Sequence, residues 1–482
     1  MLINSIALLS VLGWTSAQAT SAAHPPPKPT SSTEQCQPYS APIVQEILPN
    51  FPPIWEPATI VEGDTTAQNK FDEIKQVLPS YIKPKGTHDG DFSAVKYDPA
   101  DPDCWFTRSK CTQPKVEGLS EDLATLPEPN TWGLGFDDGP NCTHQTFMSY
   151  MKENNLTASL FYIGSNVLNW PYEAQQGRED GHELCSHTWS HHYMTSFDDE
   201  GAFAELYYSI QAIKQVTGVT PTCWRPPFGD IDDRIRMIAE GLGLRTALWE
   251  YDTNDWKLAM ADTTPEDVRK NYDEVFDAAK AGEFDDHGTI VLTHEITGET
   301  MDMFMEMYPK IRENFEYVVP LSAATNTTNL YVEEDAEDGK VFSDYVYDVY
   351  GSYVQGPSST NNDYHPQPTA TGWEGPLATV ANPTVAEVEA ATPTKDQASE
   401  GDADVGGEGG SGGDNGSESD AKNNTNTKPD GKTRISNFHP EWNNNNSNND
   451  GSSEDSAAVA SIAKPLLTSS ALLLVITTVL SS

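Results

Sequence analysis

Thr131-Trp132-Gly133-Leu134-Gly135-Phe136-Asp137-Asp138-Gly139-Pro140 is the stretch on which the reading of this chain turns. A short run with apolar residues on both faces reads as a buried strand, and it ends at two adjacent carboxylates followed by Gly-Pro. Gly and Pro punctuate strand ends, which puts the Asp pair on a tight loop at the strand's carboxyl edge. Neighbouring carboxylates repel, and a fold keeps them at a cost unless a cation shares the site. A solvated turn is the bland alternative. Against it stand His187, His191, Arg225, Asp255 and His294, each of which falls where a later strand is expected to end.

Apolar, β-prone runs recur at 131–136, 158–164, 182–186, 222–225, 244–249, 289–293 and 316–319. Helical stretches lie between them, at about 143–153, 171–180, 198–217, 231–241, 264–281 and 299–313. Thr264-Pro265-Glu266-Asp267 supplies a cap, a first-turn proline and a capping-box acid, and Gly218 and Gly282 follow helix ends. Strands alternating with helices predict an α/β fold with a parallel sheet, closed into a barrel or left open and doubly wound. In both architectures the chemistry sits at the carboxyl ends of the strands.

Ser186-His187-Thr188-Trp189-Ser190-His191-His192 begins at the third strand's end. His187 and His191 are four residues apart, so one turn of helix or a curled loop brings both rings to one side. Two imidazoles and a carboxylate leave open positions on a divalent ion, as a catalytic rather than a structural zinc site does. Lone histidines are more often surface or core residues. Here the spacing and position favour metal. Arg225-Pro226-Pro227-Phe228 holds a guanidinium fork suited to a carboxylate next to rigid prolines. Asp252-Thr253-Asn254-Asp255-Trp256 offers a carboxylate and a flat sugar-stacking ring, and Ile290-Val291-Leu292-Thr293-His294 ends on an imidazole.

These five segments resemble, in order, the motifs of NodB-type polysaccharide deacetylases, carbohydrate esterase family 4, over about residues 130–320. The resemblance implies a distorted (β/α)7 barrel and metal-dependent removal of acetyl groups. It implies that Asp138, His187 and His191 bind one divalent ion, zinc or cobalt. Asp137 is then the base, held by Arg225, and His294 the acid, oriented by Asp255. Tyr193 is implied as a backbone oxyanion donor, and Trp256, Leu292, Pro227 and Phe228 as substrate contacts. Since adjacent turn residues point apart, one carboxylate is expected to face the ion and the other the water. Gly135 departs from the family, which usually has Thr there.

The ends of the chain carry targeting signals. Residues 2–13 are apolar and Ala17-Gln18-Ala19 fits a signal-peptide cleavage site, so residues 1–19 read as a secretory signal. At the other end, small residues at Gly451-Ser452-Ser453, a polar spacer and an apolar tail from Leu466 to Leu480 match a glycosylphosphatidylinositol attachment signal. That places the anchor at Gly451 and the propeptide at 452–482. The intervening plan is an irregular amino-terminal extension (20–125), the catalytic domain (126–325), a carboxyl-terminal extension (326–384) and an acidic low-complexity spacer (385–451). The aromatic stretch from Tyr331 to Tyr353 reads as a strand or two. Six cysteines in a secretory chain predict disulfides, with Cys104 and Cys111 close enough for a local bridge. Sequons at Asn141, Asn155, Asn326, Asn415, Asn423 and Asn445 agree with secretion.

A formal charge of −44 excludes a nucleic-acid reader. Signal, sequons, anchor and acidic spacer resemble fungal wall chitin deacetylases, so chitin is the expected substrate and membrane or wall the expected location, with a monomer expected. Another acetylated polysaccharide, or a wall glycoprotein that only binds polymer, are the competing readings.

Overall fold

The computed structural model describes residues 36, 39–260, 263–333, 336 and 339–351. The expected signal peptide, spacer and anchor site Gly451 and the sequons at Asn415, Asn423 and Asn445 lie outside them. The described part forms a nine-stranded sheet: β1 (Thr125–Leu126), β2 (Thr131–Gly139), β3 (Ser159–Tyr162), β4 (Glu183–Ser186), β5 (Cys223–Trp224), β6 (Arg245–Thr246), β7 (Tyr251–Asp252), β8 (Gly288–Leu292) and β9 (Tyr317–Pro320). Its order is β1-β8-β2-β3-β4-β5-β6, with β7 also on β8 and β9 also on β2. All pairings are parallel except β1 with β8. Leu123, just before β1, bridges Ala247, just after β6, so the curled sheet meets itself. The outcome is the distorted barrel, not the open sheet.

The alternation along β2 explains the curl. Trp132, Leu134 and Phe136 belong to the core cluster shared with the helices, where the Phe136 ring lies 4.8 Å from both Phe147 and Phe304. Burying one such side chain stabilises the fold by about 1.5–3 kcal/mol. Gly133 and Gly135 face the other way, into a second cluster that includes Leu126, Phe161, Ile290 and Leu321. A Cβ on Gly133 would fall 2.8 Å from Leu321 Cδ2 and 2.9 Å from Leu126 Cδ1. On β2, glycines on the inner face make room for these large neighbours and let the strands close tightly.

All seven expected strands are present, and two two-residue strands, β1 and β7, add to them. The helix Pro265–Lys280 opens with the expected capping box between Thr264 and Asp267. Disulfides join Cys36 to Cys142, Cys104 to Cys111 and Cys185 to Cys223, the last linking β4 to β5 inside the barrel. Two expectations need correction. The stretch read as a strand or two after Tyr331 makes one bridge, Pro221 with Tyr331, and then the helix Phe342–Tyr350. Its apolar residues Phe342, Tyr345, Val346, Val349 and Tyr350 follow a helical spacing that their β-prone composition obscures. The Asp pair is not on a loop beyond β2 but within its last residues.

Candidate active site

β2 carries its two carboxylates through a bulge. Asp137 pairs with Phe161 and Gly139 with Tyr162, which leaves Asp138 as the extra residue. Asp138 takes φ 71°, a left-handed conformation that Asp tolerates better than most residues. A bulge re-aims side chains, so adjacent residues that would face opposite sides of a regular strand converge here. His187 Nε2 lies 3.3 Å from Asp138 Oδ1 and 3.8 Å from Asp137 Oδ2. The expected divergence of the two carboxylates is therefore not what the fold does.

The remaining groups arrive at the ends of neighbouring strands. His187 follows β4, and its Nδ1 donates to the Arg225 carbonyl at 2.8 Å, which leaves Nε2 free to act as a ligand. His191 Nε2 is 2.9 Å from Asp138 Oδ1. Between them the chain turns through two left-handed residues, Thr188 at φ 65° and His191 at φ 59°. For non-glycine residues this costs about 1–3 kcal/mol each unless the surroundings enforce it.

Arg225, fully buried after β5, donates from Nη1 to Asp137 Oδ1 at 2.6 Å, and its Cζ lies 4.0 Å from the Phe161 ring centroid. Gly135 contributes here: a Cβ there would come within 3.2 Å of the Phe161 ring and 3.7 Å of Arg225 Nη1. Thr293 and Glu295 zip the end of β8 to Asp137 by backbone hydrogen bonds of 3.0 and 2.9 Å. His294 is thereby fixed beside the Asp pair. Buried Asp255 accepts from His294 Nδ1 at 2.6 Å and from its backbone N–H at 2.9 Å, so His294 Nε2 is the atom available to substrate.

Asp138 Oδ1 is buried and forms no hydrogen bond of acceptable geometry, although two imidazole nitrogens approach it. With His187 and His191 it makes a group whose ligand atoms lie within 4.8 Å of one another. Two imidazoles and one carboxylate with an orphaned oxygen fit a divalent cation. The other two such groups among the described residues include Cys104 with Cys111 and Cys185 with Cys223, which are disulfide-bonded and so not ligands.

A family model for polysaccharide deacetylases matches residues 126–247. Chitin deacetylase 2 of Cryptococcus neoformans var. grubii is 49% identical over 310 residues, covering 64% of this chain and 68% of that one. The chain belongs to the polysaccharide deacetylase family. Chitin deacetylase of Amylomyces rouxii is 42% identical over 313 residues, covering 63% of this chain and 73% of that one. Among solved structures, the chitin deacetylase from Colletotrichum lindemuthianum matches with 20% identity and a TM-score of 0.39, covering 43% of this chain and 92% of that one. Membership makes the chain an amide hydrolase of carbohydrate esterase family 4.

The electrostatics suit such chemistry. Burial by itself lowers the His294 pKa, but Asp255, then Asp138 and Asp137, outweigh it and push the imidazole up to about 10. It is therefore protonated at neutral pH, as an acid must be. Burial would raise Asp138, yet His191 and His187 hold its carboxyl well below the ordinary range. Asp255→Asn removes the strongest upward influence on His294. A proton donor works below its pKa, so the alkaline limb of the rate profile should move to lower pH. A limb that stays in place in this variant would assign it to another group.

The substrate contacts divide. The Tyr193 and Phe228 rings stack with centroids 4.1 Å apart and planes at 9°, and Phe228 is 40% exposed beside the His191 ring. Trp256 is partly exposed, while Leu292 and Pro227 are buried. The oxyanion role expected of Tyr193 is corrected: its backbone N–H donates to the His88 carbonyl at 3.3 Å. Asn141, expected as a glycan site, is half-buried, with Nδ2 donating to Ile296 O at 2.7 Å and Oδ1 accepting from Thr143. Asn155 and Asn326 are exposed.

Sequence reasoning missed Glu295 and Glu205. Glu295 lies under the bulge, where a Cβ on Gly139 would fall 1.7 Å from its Oε1. Burial, then the Asp138 charge, push the Glu295 carboxyl well above the ordinary range. Its signal was the acid directly after His294 on a buried strand end. Glu205 had a clearer one, a lone charge inside the apolar run from Ala202 to Ala212.

Proposed function

We propose that the chain removes N-acetyl groups from chitin, giving chitosan and acetate, at the fungal cell surface or wall. The observation that carries this is the pairing of a held base with a held acid around one ligand set: Arg225 on Asp137, Asp255 on His294, and Asp138 with His187 and His191. The relatives' names supply the polymer.

Asp138, His187 and His191 would hold a divalent ion, zinc or cobalt, which supplies Lewis-acid polarisation of the acyl carbonyl and acidifies water. The chain's own residues move the protons. Asp137 has one oxygen committed to Arg225, so Oδ2 takes the proton of the attacking water. Oxygen bonds to the acyl carbon and the carbon–nitrogen bond breaks. His294 Nε2 delivers a proton to the leaving nitrogen, which is a poor leaving group without it. Each positioned proton transfer contributes about 10²–10⁴ in rate. Phe228, Tyr193 and Trp256 offer aromatic faces to the sugar, and Leu292 an apolar contact for the acetyl methyl.

The test is acetate release from N-acetylglucosamine oligomers with and without chelator. Chelator-sensitive release with free amines in the product supports the reading. Release only from O-acetylated xylan moves the substrate to another polymer, and polymer binding without release makes the chain a wall glycoprotein.

The same reading includes a lipid anchor at Gly451 and export by the amino-terminal signal. Phosphatidylinositol-specific phospholipase should release the protein from membranes. Recovery of an intact Leu466–Leu480 peptide from mature protein excludes the anchor. No helix among the described residues is long and apolar enough to cross a membrane.

A further inference from the structure

The loop that presents His187 and His191 turns through two left-handed residues and contributes no regular secondary structure of its own. What holds it lies behind it. Glu205, on the helix Asp199–Thr217, is fully buried and accepts four hydrogen bonds. Its Oε2 takes the backbone N–H of Trp189 at 3.1 Å and of Ser190 at 2.9 Å. Its Oε1 takes Ser190 Oγ at 2.6 Å and the Ala58 N–H at 2.8 Å. Burial drives this carboxyl above its ordinary range, and the four donors offset that in part.

Ala58 belongs to a segment that straps the loop from outside. The Phe51 ring stacks on Trp189 with centroids 5.6 Å apart, and Trp189 Nε1 donates to Pro53 O at 3.1 Å. The Trp55 N–H donates to Ser165 Oγ at 2.9 Å, and Ser165 Oγ donates to Trp189 O at 2.7 Å. Every polar group of the Trp189-Ser190 dipeptide named here is thus tied to Glu205, to Ser165 or to the strap.

We propose that Glu205, braced by the Phe51–Ala58 strap, is a positioning residue that sets the affinity of the metal centre by fixing the backbone between its two histidine ligands. The inference rests on the metal reading above and adds to it a residue that touches neither ion nor substrate. It also gives the amino-terminal extension a task in the catalytic site, although the family match begins only at residue 126.

Glu205→Gln is the informative variant. Glutamine has the same size but one acceptor oxygen, and the site holds only donors at Oε2. With its amide oxygen toward Trp189 and Ser190, the amino group meets the Ala58 N–H. Flipped, it meets both loop N–H groups. Either way buried donors face each other, and the loop must shift to relieve them.

The experiment is competition for Zn²⁺ and Co²⁺ between a chromogenic chelator and the full secreted chain, with near-UV circular dichroism as the check on folding. Removing a group that orients a ligand typically weakens metal binding by roughly 10–100-fold, and Glu205→Gln should fall in that range. Ser190→Ala, which removes one of the four donors, should shift affinity the same way by less. At saturating metal the turnover of Glu205→Gln should recover, because Asp137 and His294 are untouched; a general loss of folded protein would not recover. Affinity within about twofold of wild type in a folded Glu205→Gln overturns the proposal. If that variant fails to fold, unchanged affinity in folded Ser190→Ala does the same. A wild-type chain that takes up neither ion overturns the metal reading itself, which is a separate and recognisable result.

Discussion

Asp137→Asn should keep its metal and its fold and lose about 10²–10⁴ of its turnover. Asparagine still accepts the hydrogen bond that Arg225 Nη1 makes to Oδ1 at 2.6 Å, so the buried guanidinium keeps a partner. At the other position an amide NH₂ replaces Oδ2, and an amide nitrogen does not take a proton from water. KM should change little, since Asp137 is buried behind the reacting centre and contributes to proton transfer rather than sugar binding. The variant carries a second signature. Asp137 is one of the carboxylates that push His294 up, so its neutralisation lets the His294 pKa fall. The residual rate should therefore decline from a lower pH on the alkaline side. Turnover near wild type would remove Asp137 from the role of base. Loss of metal together with turnover would place it among the ligands.

Much of this site was legible because its residues are chemically conspicuous. Two adjacent acids at a strand end, and a His-x-x-x-His at another, have unsatisfied charge or lone pairs that a fold must account for. The parallel sheet was legible because apolar runs alternate with helical stretches, and right-handed crossovers then leave few architectures. What could not be read was set by tertiary contacts. The β2 bulge ends the alternation one residue early and places Asp138 where a regular strand would turn it away. Strand β7 is two residues long, too short for any period. The Tyr193 amide carried no sequence mark of its bond to His88. The strap from Phe51 to Ala58 is held by backbone donors, a carbonyl and one ring stack, so its composition shows only an irregular, proline-rich run. Glu205 left the clearer trace: every residue from Gly201 to Ile213 is buried, and a charge inside such a helix requires donors from elsewhere.

Asp138→Asn and His187→Ala should both lose metal, by more than the roughly 10–100-fold that an outer orienting partner is worth, and with it activity. The choice of asparagine at 138 follows from the backbone. Asp138 sits at φ 71°, where Asn is tolerated and Ala is strained, so only the amide isolates the ligand charge from the bulge geometry. The neutral amide oxygen can still approach the ion but lacks the charge that favours a hard divalent cation. His187→Ala removes the donor atom outright and frees the Arg225 carbonyl from Nδ1, so its affinity should be the lower of the two. Neither change removes a partner of the Asp137–Arg225 or His294–Asp255 pairs. Elemental analysis of the purified variants decides the matter. Full occupancy in Asp138→Asn with turnover intact would remove Asp138 from the ligand set. Full occupancy with turnover abolished would instead exchange its role with that of Asp137, because the bulge brings both carboxylates within reach of the same imidazole, 3.3 and 3.8 Å from His187 Nε2.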